Sequence, residues 1–156
     1  MTTQEAQARI LSASREIKAD AGTIFELIAD PAVQPSWDGN DNLGEAAPGQ
    51  RVHGVGDVFA MTLTGTSGVR DNRVVEFTEG RLIAWMPGDP GQGPAGHLWR
   101  WELEPVDETR TLVTHTYDWT GLPDDSPEPR ITRARSTTTD MLRASLDRLA
   151  ALAQGS

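Results

Sequence analysis

Two neighbouring segments of this chain alternate with period two and gather large aromatic side chains on one face. In His97-Leu98-Trp99-Arg100-Trp101-Glu102-Leu103-Glu104 the odd positions carry His, Trp, Trp and Leu. In Leu112-Val113-Thr114-His115-Thr116-Tyr117-Asp118-Trp119 they carry Val, His, Tyr and Trp. Successive strand side chains point to opposite faces, so each segment reads as a strand with one aromatic, mildly polar face and one hydrophilic face. An ordinary small core is filled with Leu, Ile and Val, whereas an indole or imidazole is bulky and wants a partner for its N–H. Five of the 156 residues are Trp, against one Tyr and three Phe. Two adjacent strands with such faces imply the wall of a cavity, and a flat, mostly apolar ligand.

The rest of the chain supplies a frame for that wall. Residues 1–8 read as a short polar tail and 9–153 as one domain. A strand is expected over Arg9–Ile17. Asp20 is placed to cap a helix, and Ile24, Phe25, Leu27 and Ile28 follow at helical spacing. Asp30-Pro31 repeats the signal and predicts a second, short helix that Pro35 stops. Residues 38–49, rich in Gly, Asn and Asp, read as an irregular connection. Strands are expected over Val58–Thr64, Val69–Phe77 and Leu82–Met86, with turn residues such as Thr64-Gly65 and Glu79-Gly80 between them. Phe59, Met61 and Leu63 share one face of the first. Asp71, Arg73, Val75 and Phe77 share one face of the second, so Asp71 and Arg73 are expected to point inward near a strand end. From Ile131 to Ala153, Ile131, Ala134, Thr138, Met141, Leu142, Ser145, Leu149 and Leu152 keep the spacing of one helical face, which predicts a single long helix. Its Ala, Thr and Ser positions would leave space beneath it, and Arg133 falls elsewhere on its surface.

Charge and composition exclude several classes. A formal net charge of −9 and a pI near 4.7 argue against nucleic acid or anionic lipid as the main partner. No apolar run approaches membrane-spanning length, so no membrane insertion is expected. The chain has no cysteine, which removes disulfides and thiolate catalysis and fits a reducing cytoplasm. The opening residues lack a basic region followed by an apolar run, so no signal peptide is expected. The three His fall in different segments with no carboxylate at ligand spacing, and Gly54-Val55-Gly56 and Gly91-Gln92-Gly93 lack a strand-to-helix context. Neither a metal nor a cofactor is therefore expected.

The element order resembles the helix-grip fold of the START/Bet v 1-like superfamily, closest to its polyketide cyclase/dehydrase and lipid-transport branch. The residues that carry the resemblance are Ile17-Lys18-Ala19-Asp20, Ile24-Phe25-Glu26-Leu27-Ile28-Ala29-Asp30-Pro31 and Trp37. They continue in Val55-Gly56-Asp57-Val58-Phe59, Asn72-Arg73-Val74-Val75-Glu76-Phe77, Leu82-Ile83-Ala84-Trp85 and Trp99-Arg100-Trp101-Glu102-Leu103. The resemblance implies an α+β fold: one curved antiparallel sheet, two short helices and a long C-terminal helix closing a cavity. Members bind sterols, lipids, plant hormones or polyketides, and some catalyse aldol-type cyclisation and dehydration. It also places Trp37 at the mouth of the cavity.

The candidate ligand-binding set is Trp37, Phe59, Met61, Arg73, Phe77, Trp85, Trp99, Trp101, His115, Tyr117 and Trp119. His115 and Tyr117 are also the candidate catalytic pair. A His exchanges protons near pH 7 and a Tyr hydroxyl can donate to an enolate oxygen, which is what proton removal next to a carbonyl requires. His97 can face the same space. Arg73 with Asp71 could hold a ligand carboxylate or carbonyl, whereas Arg100, on the opposite parity from the tryptophans, is expected in solvent. Three readings result: a carrier or sensor of a hydrophobic, ring-containing small molecule, a polyketide aromatase/cyclase or dehydratase, and an Hsp90-activator-like interaction module. A monomer or homodimer fits each.

Overall fold

The strand segments pair into one seven-stranded antiparallel sheet. In the computed structural model, which describes residues 9–65 and 68–155, the strands are β1 (Ile10–Ile17), β2 (Leu43–Glu45), β3 (Val58–Leu63), β4 (Val69–Thr78), β5 (Leu82–Gly88), β6 (Leu98–Pro105) and β7 (Thr111–Asp118). The segment 1–8, read above as a tail, lies outside the described residues. The spatial order is β1-β7-β6-β5-β4-β3-β2, so β2 to β7 form a meander and β1 returns beside β7. The helices are α1 (Ala21–Ala29), α2 (Glu128–Ser136) and α3 (Thr139–Gln154). The fold is α+β helix-grip.

Asp20 caps α1 as its position predicts: its carboxylate accepts from the Thr23 N–H at 3.1 Å and from the Thr23 hydroxyl at 2.6 Å. The helix then buries Ile24, Phe25 and Ile28. The second short helix shrinks to a single 3-10 turn, Gln34–Ser36. Pro35 lies inside that turn and leaves too little chain for an α-helical one.

The long C-terminal helix is in fact two. Thr137 and Thr138 take extended backbone between α2 and α3, and the Thr138 hydroxyl caps α3 by accepting from the Met141 N–H at 3.3 Å. The Ser136 and Thr137 hydroxyls meanwhile bond back to the Thr132 and Arg133 carbonyls. Such side-chain bonds compete with continued helix, which a run of three threonines after a serine invites. The apolar period runs on through the break, so the sequence pattern does not reveal it.

α3 packs on β1 and buries Leu142, Leu146 and Leu149. Each buried leucine contributes about 1.5–3 kcal/mol relative to exposure. Leu152, expected on this face, is 37% exposed instead. Ser145 is buried among the leucines because its hydroxyl accepts from the Gly39 N–H at 2.8 Å. Gly39 presses the loop after the 3-10 turn directly onto α3: a Cβ there would lie 2.3 Å from the Met141 carbonyl oxygen.

β4 contains a bulge that reverses its faces. Val74 pairs with Trp85 and Glu76 with Ala84, leaving Val75 as the extra residue. Inward positions are therefore Arg70, Asn72 and Val74 before the bulge and Phe77 after it. This corrects the expectation for Asp71 and Arg73, which fall on the outer face, Arg73 exposed.

Candidate ligand cavity

The sheet, α2 and the start of α3 enclose a cavity of about 350 Å³, within the range of small-molecule sites. Its wall is built by strand register. Trp85, Trp99 and Tyr117 lie opposite one another on β5, β6 and β7 and form one rung. Ile83, Trp101 and His115 form the next, continued by Ala13 on β1. Three indoles, one phenol and one imidazole of these rungs line the cavity.

Within the rungs the rings touch. Trp99 and Tyr117 have centroids 4.2 Å apart, tilted by 33°. Trp101 and His115 stack at 3.7 Å with planes 14° apart, and Trp37 meets Trp101 edge-on at 5.1 Å. The Trp101 indole nitrogen is buried without a hydrogen-bond partner. Trp37 lies in the cavity wall, 3% exposed, and its indole N–H donates to the Leu27 carbonyl at 2.8 Å.

His115 is fixed chemically as well as sterically. Its Nδ1 lies 3.1 Å from the Arg100 carbonyl oxygen. A carbonyl only accepts, so Nδ1 carries the proton and donates, which leaves Nε2 as an acceptor. Burial holds the imidazole pKa down at about 3, against that hydrogen bond. His97, edge-on to Tyr117 at 6.0 Å, is held down at about 4 by burial and then by Arg130, Arg133 and Arg70. Burial pushes the Tyr117 hydroxyl up to about 12, opposed by a hydrogen bond with Thr137 and by Arg133. Near neutral pH the cavity thus holds neutral imidazoles and a protonated phenol able to donate.

Seven of the eleven candidate residues line this space: Trp37, Met61, Trp85, Trp99, Trp101, His115 and Tyr117. Phe59 stands behind the wall, edge-on to Trp85 at 5.5 Å, and Phe77 packs on Phe25 at 5.6 Å. Trp119 is buried outside the cavity, between the guanidinium groups of Arg9 at 4.4 Å and Arg135 at 5.8 Å. Arg73 is on the outer face. Arg100 is there too, as its parity predicts, paired with Glu76 and Glu102 at 2.8 Å each.

The sequence reading omits a polar part of the lining: Gln34, Asp38, Arg70, Asn72, Arg130 and Arg133. The two Asp38 carboxylate oxygens accept from the Asn40 and Asn42 N–H groups at 3.2 Å each, while burial raises its pKa. Gln34 Nε2 donates to the Ile28 carbonyl at 3.1 Å. Arg70 and Asn72 would have followed from the even positions of β4 had the bulge been known. Among the described residues no group of three or more His, Asp or Glu is arranged to hold a metal ion. No helix of the described residues is long and apolar enough to cross a membrane.

Residues 8–154 match the family described as polyketide cyclase/dehydrase and lipid transport. The chain belongs to this family. An uncharacterised protein of Mycobacterium tuberculosis, Rv0088, is 31% identical over 121 residues, which are 76% of this chain and 51% of that one. The chain thus spans about half the length of the curated relatives it matches. Among solved structures, a START superfamily protein from Mycobacterium smegmatis matches with a TM-score of 0.64 at 18% identity, covering 94% of this chain and 97% of that one. A norcoclaurine synthase mutant from Thalictrum flavum, bound to a transition-state analogue, matches at 0.60 and 15%, covering 94% of each chain. The Aha1 dimer from Colwellia psychrerythraea matches at 0.58 and 19%, covering 94% and 97%. These three solved structures share the fold of this chain.

Proposed function

We propose that this polyketide cyclase/dehydrase-type domain binds a hydrophobic, flat, ring-containing small molecule in its cavity, as a carrier or sensor. The observation that carries the reading is the Trp85–Trp99–Tyr117 rung, which lines an otherwise largely apolar cavity of about 350 Å³. Indole faces favour offset or edge contacts with another flat ring. The neutral Tyr117 hydroxyl can donate to a ligand carbonyl and set its orientation. Titration calorimetry with a series of polycyclic aromatic compounds tests this reading. At least one member should bind, and Trp99→Ala should weaken it about ten-fold, as loss of a ring contact and its buried area requires. If every member of the series fails to bind, the reading is wrong.

The same hydroxyl supports a second reading, a cyclase or dehydratase in which Tyr117 polarises a substrate carbonyl. His115 then faces the substrate with Nε2 as a free acceptor, a weak base because burial lowers its pKa, while its Nδ1–H is committed to Arg100. For that reading, Tyr117→Phe must abolish turnover of a poly-β-ketone substrate while leaving its binding measurable.

A further inference from the structure

Arg70 on β4 and Arg130 and Arg133 on α2 all line the cavity that Trp85 and Trp99 also line. Holding a guanidinium against apolar wall removes some of its water, which is unfavourable without a partner. Arg70 donates to the Val69 carbonyl at 3.1 Å. Arg70 and Arg130 share one carboxylate, Asp89, at 3.5 and 3.1 Å. Arg133 makes no ion pair among the described residues, and its Nε donates to the Pro129 carbonyl at 3.4 Å. Asp38, the acidic residue of the lining, gives both oxygens to amides of its own loop. A chain with 23 acidic and 14 basic residues therefore presents a locally positive pole inside its cavity.

We infer that the ligand is an amphipathic carboxylate, with its aromatic body against Trp85 and Trp99 and its carboxylate among Arg70, Arg130 and Arg133. A guanidinium presents a planar fork that matches the two oxygens of a carboxylate, and the Asp89 and Asp38 carboxyls together offset much of the charge of the three arginines, so the pole suits a single negative charge. His97 supports the same polarity, since these three arginines add to burial in disfavouring its protonated form. This inference rests on the cavity-binding reading and adds the polar end of the molecule to it.

Anthracene-2-carboxylate and anthracene-2-carboxamide share one ring system and differ in charge, so calorimetry with both separates the two ideas. The acid should bind about ten-fold tighter than the amide at low salt, with the ratio falling as salt screens the partly exposed pole. In Arg133→Gln and in the Arg70→Gln, Arg133→Gln double variant, the ratio should narrow to within about two-fold. Equal binding of acid and amide by the unaltered protein, or a ratio that survives the double variant, overturns the inference while leaving the cavity reading intact. Failure of both compounds to bind, while another member of the polycyclic series does bind, overturns the inference alone; failure of the whole series overturns both. Circular dichroism of the variants, whose substitutions lie at partly exposed side chains, verifies that each ratio is read on folded protein.

Discussion

Trp101 and His115 face each other across β6 and β7 and stack with centroids 3.7 Å apart. The contact makes the imidazole a structural ring of the cavity wall. One face lies on an indole, Nδ1–H is bound to Arg100, and burial keeps the ring uncharged. Near neutral pH the ring is thus flat and uncharged, with an acceptor left at Nε2.

That arrangement predicts how stability responds to acid. Folding lowers the pKa of His115 from 6.5 to about 3 and of His97 from 6.5 to about 4. Between those values the unfolded chain binds protons that the folded chain refuses, so stability is full above about pH 6.5 and is lost as pH falls. At about pH 4.5 each imidazole should cost about 2 kcal/mol relative to neutral pH. Urea titrations across this range check the direction, and a His97→Gln, His115→Gln double variant should lose less stability on acidification than the parent. An equal loss in both would place the acid sensitivity elsewhere.

The break between α2 and α3 depends on Thr138. Replacing it with alanine removes the cap on the Met141 N–H, and loss of such a cap costs about 1 kcal/mol. Thermal unfolding followed by circular dichroism should show a lower Tm for Thr138→Ala. A Tm equal to the parent's would mean that the cap contributes nothing.

Gly39 should tolerate no side chain. An alanine methyl would lie 2.3 Å from the Met141 carbonyl and 2.7 Å from the Ser145 nitrogen, both backbone atoms of α3. Overpacking of this kind costs about 1–3 kcal/mol. Chemical denaturation of Gly39→Ala should register that loss, and an unchanged midpoint would contradict the close approach.

What the sequence reveals depends on whether the local period stays unbroken. β6 and β7 pair without a shift over the aromatic stretch, so odd-position parity places Trp99, Trp101, His115 and Tyr117 on one wall. On β4 the same counting fails. Val75 is inserted opposite the Trp85–Ala84 step, so Arg73 turns out and Arg70 and Asn72 turn in. The bulge cannot be placed from the sequence, because Val74 and Val75 stand side by side and either can be counted as the inward residue. Trp119 keeps its parity but lies one residue past the end of β7, where Arg9 and Arg135 cover it. Arg133 is misplaced for a third reason. The helix break frees α2 from the facing of α3, so a side chain on the outer arc of one continuous helix reaches the cavity from a separate one.

The central claim is that a flat apolar molecule lies against the Trp85–Trp99 wall, and the five indole N–H groups give it five separate reporters. Their nitrogen–proton NMR signals, followed while polycyclic aromatic compounds are titrated in, test the claim most directly. The account predicts that a binding compound shifts the Trp85 and Trp99 signals strongly and leaves that of Trp119, shielded outside the cavity, in place. A compound that binds while moving Trp119 alone, or a complete series that moves none of the five, would contradict it.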